Sequence, residues 1–114
     1  MQTIREIIKE KSAELREIEK LGPAKAAEEL VQLSSLLASL NTEIVETQFI
    51  LNQKRSELLL EAKSVAKARL LAEGLQEWHD WFERIMQRDA LLELIRALKY
   101  YLRAISDERR ESAF

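Results

Sequence analysis

The side chains that most often carry chemistry are sparse in this sequence. Its one histidine, His79, is followed directly by Asp80. Adjacent residues of a helix point about 100° apart, so these two side chains would not form a catalytic dyad. A zinc site would need two or three further ligands, and no second histidine lies four residues away. We therefore interpret His79 as an ordinary surface or half-buried histidine.

Other signatures of catalysis are also missing from the sequence. The chain has no cysteine, which excludes a thiolate metal site and a disulfide framework. Its carboxylates alternate with basic residues along helix faces, and there is no glycine-rich phosphate loop and no nucleophile elbow. The sequence therefore predicts a protein that is not an enzyme and that uses no metal or cofactor.

Aromatic residues are concentrated in the last third of the chain. Trp78 and Phe82 are four residues apart and would share one helix face, with Trp81 beside them. The ordinary interpretation of such a group is core packing. The alternative is an anchor for a protein partner, because Trp and Tyr dominate interaction hot spots. The possible anchor residues are Trp78, Trp81, Phe82, Tyr100 and Tyr101.

Basic residues of the last helix fall on one side of it. At 100° per residue, six of them lie within an arc of about 120°. Such a face would track a phosphate backbone, with tyrosines stacking on bases. The net charge of −2 provides no whole-molecule basic field, so a solvated face or ion pairing with helix 2 competes with that hypothesis. The candidate nucleic-acid contacts are Arg84, Arg88, Arg96, Lys99 and Arg103, and Arg110 completes the arc.

Long helices must position these groups. The 114 residues include only two glycines and one proline, too few for the hairpins of a β fold. Thr3 and Glu6 have the spacing of a capping box, which predicts a short first helix over about 3–21. Gly22-Pro23 predicts a tight turn and an antiparallel helical hairpin.

The second helix carries the clearest periodicity. Its leucines follow a nearly strict heptad, which is the pattern of a coiled coil or a long helical hairpin. We expect one helix over about 24–72, a kink or break near Gly74, a C-terminal helix over about 75–105 and a polar tail over 106–114. The predicted self-association seam is Leu30, Leu33, Leu37, Leu40, Ile44, Leu51, Leu58 and Val65.

These elements predict an all-α helical hairpin or coiled-coil bundle in a single domain, completed by oligomerisation. Two long apolar stripes on few helices leave more surface than one copy buries, so we expect a dimer or a tetramer. No apolar run approaches the roughly 18 to 20 residues of a membrane span. The start shows no signal-peptide pattern. We therefore expect a cytoplasmic protein that does not enter a membrane.

The segment Glu93-Leu94-Ile95-Arg96-Ala97-Leu98-Lys99-Tyr100-Tyr101-Leu102 and the helix before it resemble small helical accessory proteins of bacteriophages and prophages. The resemblance covers about the last 45 residues. It implies a phage or mobile-element product, encoded near replication or recombination genes, and it transfers no catalytic residue. The sequence thus predicts a non-enzymatic interaction protein. The alternatives are a nucleic-acid-associated accessory protein and a small inhibitor or adaptor that docks on a host protein.

Overall fold

The computed structural model describes residues 2–112 of the chain, with side chains as far as residue 110. Within this range the protein is all-α, as predicted, and contains no strand. None of the described helices combines the length and the apolar character needed to cross a membrane. The elements are α1 (Ile4–Leu15), a 3-10 helix (Ile18–Lys20), α2 (Pro23–Glu61), α3 (Val65–Glu73) and α4 (Gln76–Ser112).

The first helix begins as predicted and ends earlier. The Thr3 hydroxyl accepts a hydrogen bond from the Glu6 amide, which caps α1. The predicted helix over 3–21 is wrong beyond Leu15, because Glu17 leaves the helical region (φ −118°, ψ 43°). Its carbonyl then accepts from the Lys20 amide at 3.0 Å, the i to i+3 pattern of a 3-10 helix.

The turn between α1 and α2 forms at Gly22-Pro23. Gly22 has φ +79°, a left-handed conformation that a residue with a Cβ adopts only at a cost. Pro23 is the first residue of α2, where its missing amide hydrogen removes no helical hydrogen bond. Lys11 of α1 contacts Glu29 of α2. Ile7, which precedes Lys11, lines a groove together with Leu36, which follows Glu29. The two helices are therefore antiparallel.

The predicted single helix over 24–72 is two helices. Ser64 is extended (φ −148°, ψ 152°), and its side chain accepts a hydrogen bond from the Lys67 amide. Serine in this role starts a new helix, so α2 ends at Glu61 and Val65 belongs to α3. Gly74 then ends α3, and the Gly74 and Leu75 amides donate to Leu71 and Ala72. The kink or break predicted near Gly74 is therefore a turn between two helices.

The last helix is longer than the sequence suggested. It continues without interruption to Ser112, so the predicted polar tail over 106–114 is helical as far as the structure describes it, and residues 113–114 lie outside the described part. The segment holds no glycine or proline, and Arg109 and Arg110 lie in its last turn. Their positive charge interacts favourably with the negative end of the helix dipole.

The described residues form two compact units. Unit 1 comprises residues 2–38 and 87–112, and unit 2 comprises residues 39–86. α2 and α4 each contribute to both units, α1 only to unit 1 and α3 only to unit 2. The buried apolar side chains of unit 1 are Ala26, Leu33, Leu91, Leu94, Ile95 and Leu98, and those of unit 2 are Leu40, Ile44, Leu51, Ala68 and Ala72.

The two glycines allow a matched test of the first turn. Gly22→Ala meets no atom within 4 Å but must keep φ +79°, so we expect the free energy of unfolding to fall by about 1–2 kcal/mol. Gly74→Ala is the control, because its nearest neighbour, the Leu71 carbonyl oxygen, lies at an ordinary 3.5 Å. Urea unfolding followed by circular dichroism measures both. Equal losses in the two variants would contradict the assignment of strain to Gly22.

Candidate interaction surfaces

His79 and Asp80 do not form a catalytic pair in the structure. His79 is exposed and its ring lies edge-on to Trp78, with centroids 5.2 Å apart. The Asp80 carboxylate accepts a hydrogen bond from Gln76 at 2.9 Å. Among residues 2–112 no group of three or more His, Asp or Glu side chains is placed to hold a metal ion.

The predicted aromatic anchor is partly packed and partly exposed. In unit 2, Trp78 and Phe82 stack with their centroids 4.9 Å apart and their planes 8° from parallel. The Phe82 side chain remains 43% exposed. The indole nitrogen of Trp81 is buried and has no hydrogen-bond partner within the described protein. Core packing therefore accounts for much of Trp78 and Trp81, and Phe82 has a face available to a partner.

The two predicted tyrosines line a groove of unit 1. Tyr100 is 77% exposed and Tyr101 is half-buried. Sequence reasoning missed the groove because its other wall is formed by α1 and the 3-10 helix. No sequence pattern predicts that these elements pack beside α4. Its volume is about 590 Å³, and its lining is Leu15, Ile18, Glu19, Ala97, Tyr100, Tyr101, Ala104, Ile105 and Glu108.

Most of the predicted self-association seam is the core of a single copy. Leu33, Leu40, Ile44 and Leu51 are at most 6% exposed within one chain, and Leu30, Leu37 and Leu58 are half-buried. Only Val65 is well exposed, at 63%, and it lies on α3. The four buried residues thus cannot form a contact between folded copies.

The reason for this correction is the helical hairpin that follows the break at Ser64. In unit 2, α4 returns beside α2, where Arg84 Nε lies 3.4 Å from Glu43 Oε2. Helices of the same chain therefore cover the heptad stripe of α2. A heptad pattern has the same appearance whether the covering helix belongs to the same chain or to another copy.

The predicted basic face of α4 is partly neutralised. Arg84, Arg88 and Arg96 lie 3.4, 3.2 and 2.7 Å from the carboxylates of Glu43, Asp89 and Glu93. Lys99 and Arg103 are exposed and make no ion pair among the described residues. The predicted ion pairing with helix 2 is found for Arg84 alone, because Asp89 and Glu93 belong to α4 itself. Nucleic-acid binding through Lys99 and Arg103 stays a prediction.

The opposite side of α2 carries a surface that the sequence reasoning did not single out. Projected at 100° per residue, nine residues of α2 fall within an arc of about 120°, on the far side from Leu40, Ile44 and Leu51. All nine are exposed and none is charged. We call this arc the outer face of α2, and its residues are Asn41, Thr42, Val45, Phe49, Asn52, Gln53, Ser56, Leu59 and Leu60.

Charge is abundant elsewhere on this stretch of helix. Six charged residues lie between residues 39 and 61, and every one of them falls outside the arc. On the outer face the exposed fractions are 67% for Val45, 64% for Phe49, 51% for Leu59 and 88% for Leu60. A helix side that faces only water normally carries charges. The sequence signal for this face is therefore a set of positions at helical spacing that carry no charged residue.

Sequence reasoning also missed a buried ion pair in unit 1. Glu29 is 1% exposed, and its carboxylate lies 2.8 Å from the Lys11 ammonium and 3.8 Å from that of Lys25. Glu29 occupies the apolar stripe of α2, three residues after Ala26 and four before Leu33. That position was the available signal, since a carboxylate on a buried stripe needs a cationic partner.

Burial and charge act in opposite directions on Lys11. Burial of the ammonium acts to lower the pKa of Lys11, but the hydrogen bond and charge of Glu29, together with Glu14, outweigh it. The pKa of Lys11 is therefore raised above its ordinary value of 10.5. The pair links α1 to α2 and holds the two helices in register.

No protein-family model, curated protein or solved structure matches this chain.

The buried pair predicts that replacing Lys11 lowers the stability of the fold much more than replacing an exposed lysine does. Lys11→Ala leaves the buried Glu29 carboxylate without its nearest cation, so we expect the free energy of unfolding to fall by about 2–3 kcal/mol. Lys20→Ala is the control, because the Lys20–Glu17 pair is 78% and 66% exposed and should contribute at most about 1 kcal/mol. Urea unfolding measures both variants. Similar decreases in the free energy of unfolding would show that the buried pair stabilises the fold no more than the exposed pair does.

The same pair predicts a dependence on alkaline pH. A raised lysine pKa stabilises the folded chain fully below pH 10.5, the ordinary value, and the benefit is lost as pH rises through the folded pKa. The stability difference between wild type and Lys11→Ala should therefore shrink above that pH. Urea unfolding of both proteins in a series of alkaline buffers measures the difference. A difference that grew with pH would contradict the assignment.

Proposed function

We propose that this protein is a non-enzymatic helical assembly protein whose copies bind one another through exposed apolar side chains of unit 2. The observation that carries the proposal is the distribution of large exposed hydrophobic residues. Twelve are found among the described residues, and ten of them lie in unit 2: Val45, Phe49, Ile50, Leu59, Leu60, Val65, Leu70, Leu71, Phe82 and Met86. Exposed apolar surface on this scale is typical of interaction sites.

The accessible area of the chain supports the same proposal. It is 8448 Å², whereas a folded monomer of 13.3 kDa exposes roughly 6,500 Å². The excess of roughly 2,000 Å² exceeds the roughly 800 Å² that each partner buries in a standard protein interface. A contact of standard size between copies would remove part of this excess.

The other interpretations predict different partners. A docking adaptor would use Phe82 or the tyrosine groove, and a nucleic-acid-associated protein would use Lys99 and Arg103. Neither has support comparable to the concentration of apolar residues in unit 2. A cytoplasmic location and an origin in a phage or prophage stay predictions from the sequence.

Light scattering after gel filtration tests the proposal directly. We expect a mass that is a multiple of 13.3 kDa at micromolar to submillimolar concentration. The double variant Phe49→Lys/Leu60→Lys should weaken association at least tenfold, about 1.4 kcal/mol, since it places two ammonium groups in a contact that excludes water. Both side chains are exposed in one copy, so the variant should keep its fold, which circular dichroism checks.

Tyr100→Lys is the matched control for that variant. Tyr100 is also apolar and 77% exposed, but it belongs to unit 1, so the control should associate as the wild type does. A wild-type chain that stays monomeric at submillimolar concentration would overturn the proposal. Equal weakening by the control and the double variant would move the interface away from unit 2.

A further inference from the structure

We infer that the outer face of α2 is the site at which a second copy of this chain docks, with the two α2 helices antiparallel. The inference rests on the proposed function and adds the contacting face and its orientation. Within unit 2 the face runs from Asn41 to Leu60, a length of about 30 Å.

The first argument is charge. A face bearing nine uncharged side chains, with Glu46, Arg55 and Glu57 at or beyond its edges, can be covered without burying an unpaired ion. Ser56, one of its polar residues, also tolerates burial. The Ser56 hydroxyl already donates to the Asn52 carbonyl at 3.0 Å, so covering Ser56 would leave no donor without a partner.

The second argument is the order of large and small side chains along the face. In an antiparallel pair centred between Ile50 and Leu51, residue i faces residue 101 − i of the partner helix. Val45 then faces Ser56, and Phe49 faces Asn52. Towards the ends of the face, Leu59 meets Thr42 and Leu60 meets Asn41. Each pair joins a large apolar side chain to a smaller uncharged one, which fills the interface evenly.

A parallel pair in register would be packed less evenly. It would place Phe49 against its own copy and Asn52 and Ser56 against theirs, so bulky and thin layers would alternate and leave gaps. The antiparallel arrangement is also isologous, with the same face used by both copies. It sets the two helix dipoles in opposition, which the parallel arrangement does not. Evenness of packing and dipole orientation both favour the antiparallel pair.

Single-cysteine variants distinguish these arrangements, because the chain has no cysteine of its own. Val45→Cys and Ser56→Cys are prepared separately, one with a mass tag, mixed at equal concentration and mildly oxidised. We expect the mixed disulfide to form several-fold more than either homodimeric disulfide. In the antiparallel pair the two copies of residue 45 are offset by eleven residues, about 16 Å, too far for a disulfide. Lys54→Cys lies outside the arc and is the control that should not crosslink.

The outcomes separate this inference from the proposed function. Homodimeric crosslinks of Val45→Cys, formed as readily as the mixed one, would overturn the antiparallel orientation while self-association stands. An oligomer by light scattering with no crosslink from either cysteine would place the interface on another face and overturn the site. A monomer by light scattering would overturn both. Circular dichroism of each exposed-site variant shows whether it has kept its helices.

Discussion

Burial of one apolar stripe along α2 is the interaction on which the rest of this structure depends. The stripe supplies Leu33 to the core of unit 1 and Leu40, Ile44 and Leu51 to the core of unit 2. Each fully buried leucine contributes about 1.5–3 kcal/mol relative to an exposed one. Because helices of the same chain cover this stripe, the self-association that we propose has to use a different surface.

That constraint gives the second apolar stripe its significance. An antiparallel hairpin buries one side of a long helix and leaves the other side in water, where charged residues are expected. Within unit 2, α2 follows that rule at the edges of its exposed side but not at its centre, where Val45 and Phe49 lie among uncharged residues. Keeping large apolar side chains in water costs solubility, and the cost is offset when a second helix covers them.

Local signals predicted the parts of the fold that depend on local chemistry. The Thr3 cap and the Gly22-Pro23 turn could be predicted because each depends on the backbone preferences of one or two residues. Ser64 is an equally recognisable helix start, but its neighbours have good helix propensity and favour a continuous helix. The end of α4 was misjudged for the converse reason, since a charged segment without glycine or proline is compatible with both a helix and a tail.

Contacts between distant residues were beyond the sequence. The heptad of α2 identified a buried stripe correctly and could not say which helix covers it. The pair of Lys11 and Glu29, 18 residues apart, needed the position of α1 on α2, which no periodicity supplies. The outer face of α2 was in principle visible, as an uncharged arc at helical spacing, but its exposure became known only once the opposite stripe was seen to be the core. The assignment of one stripe to the core therefore made the other a candidate interface.

The distribution of polar and apolar contacts is the reason for assigning the proposed self-association to unit 2. In unit 1 the buried Glu29 carboxylate and Lys11 fix the register of α1 on α2. Only two large hydrophobic side chains, Val31 and Tyr100, are exposed among the described residues of unit 1. A surface of that kind has little apolar area to gain from a partner. Unit 2, by contrast, has ten exposed large hydrophobic side chains. The free energy available from covering apolar surface is therefore concentrated in unit 2, where the outer face of α2 is free of charge.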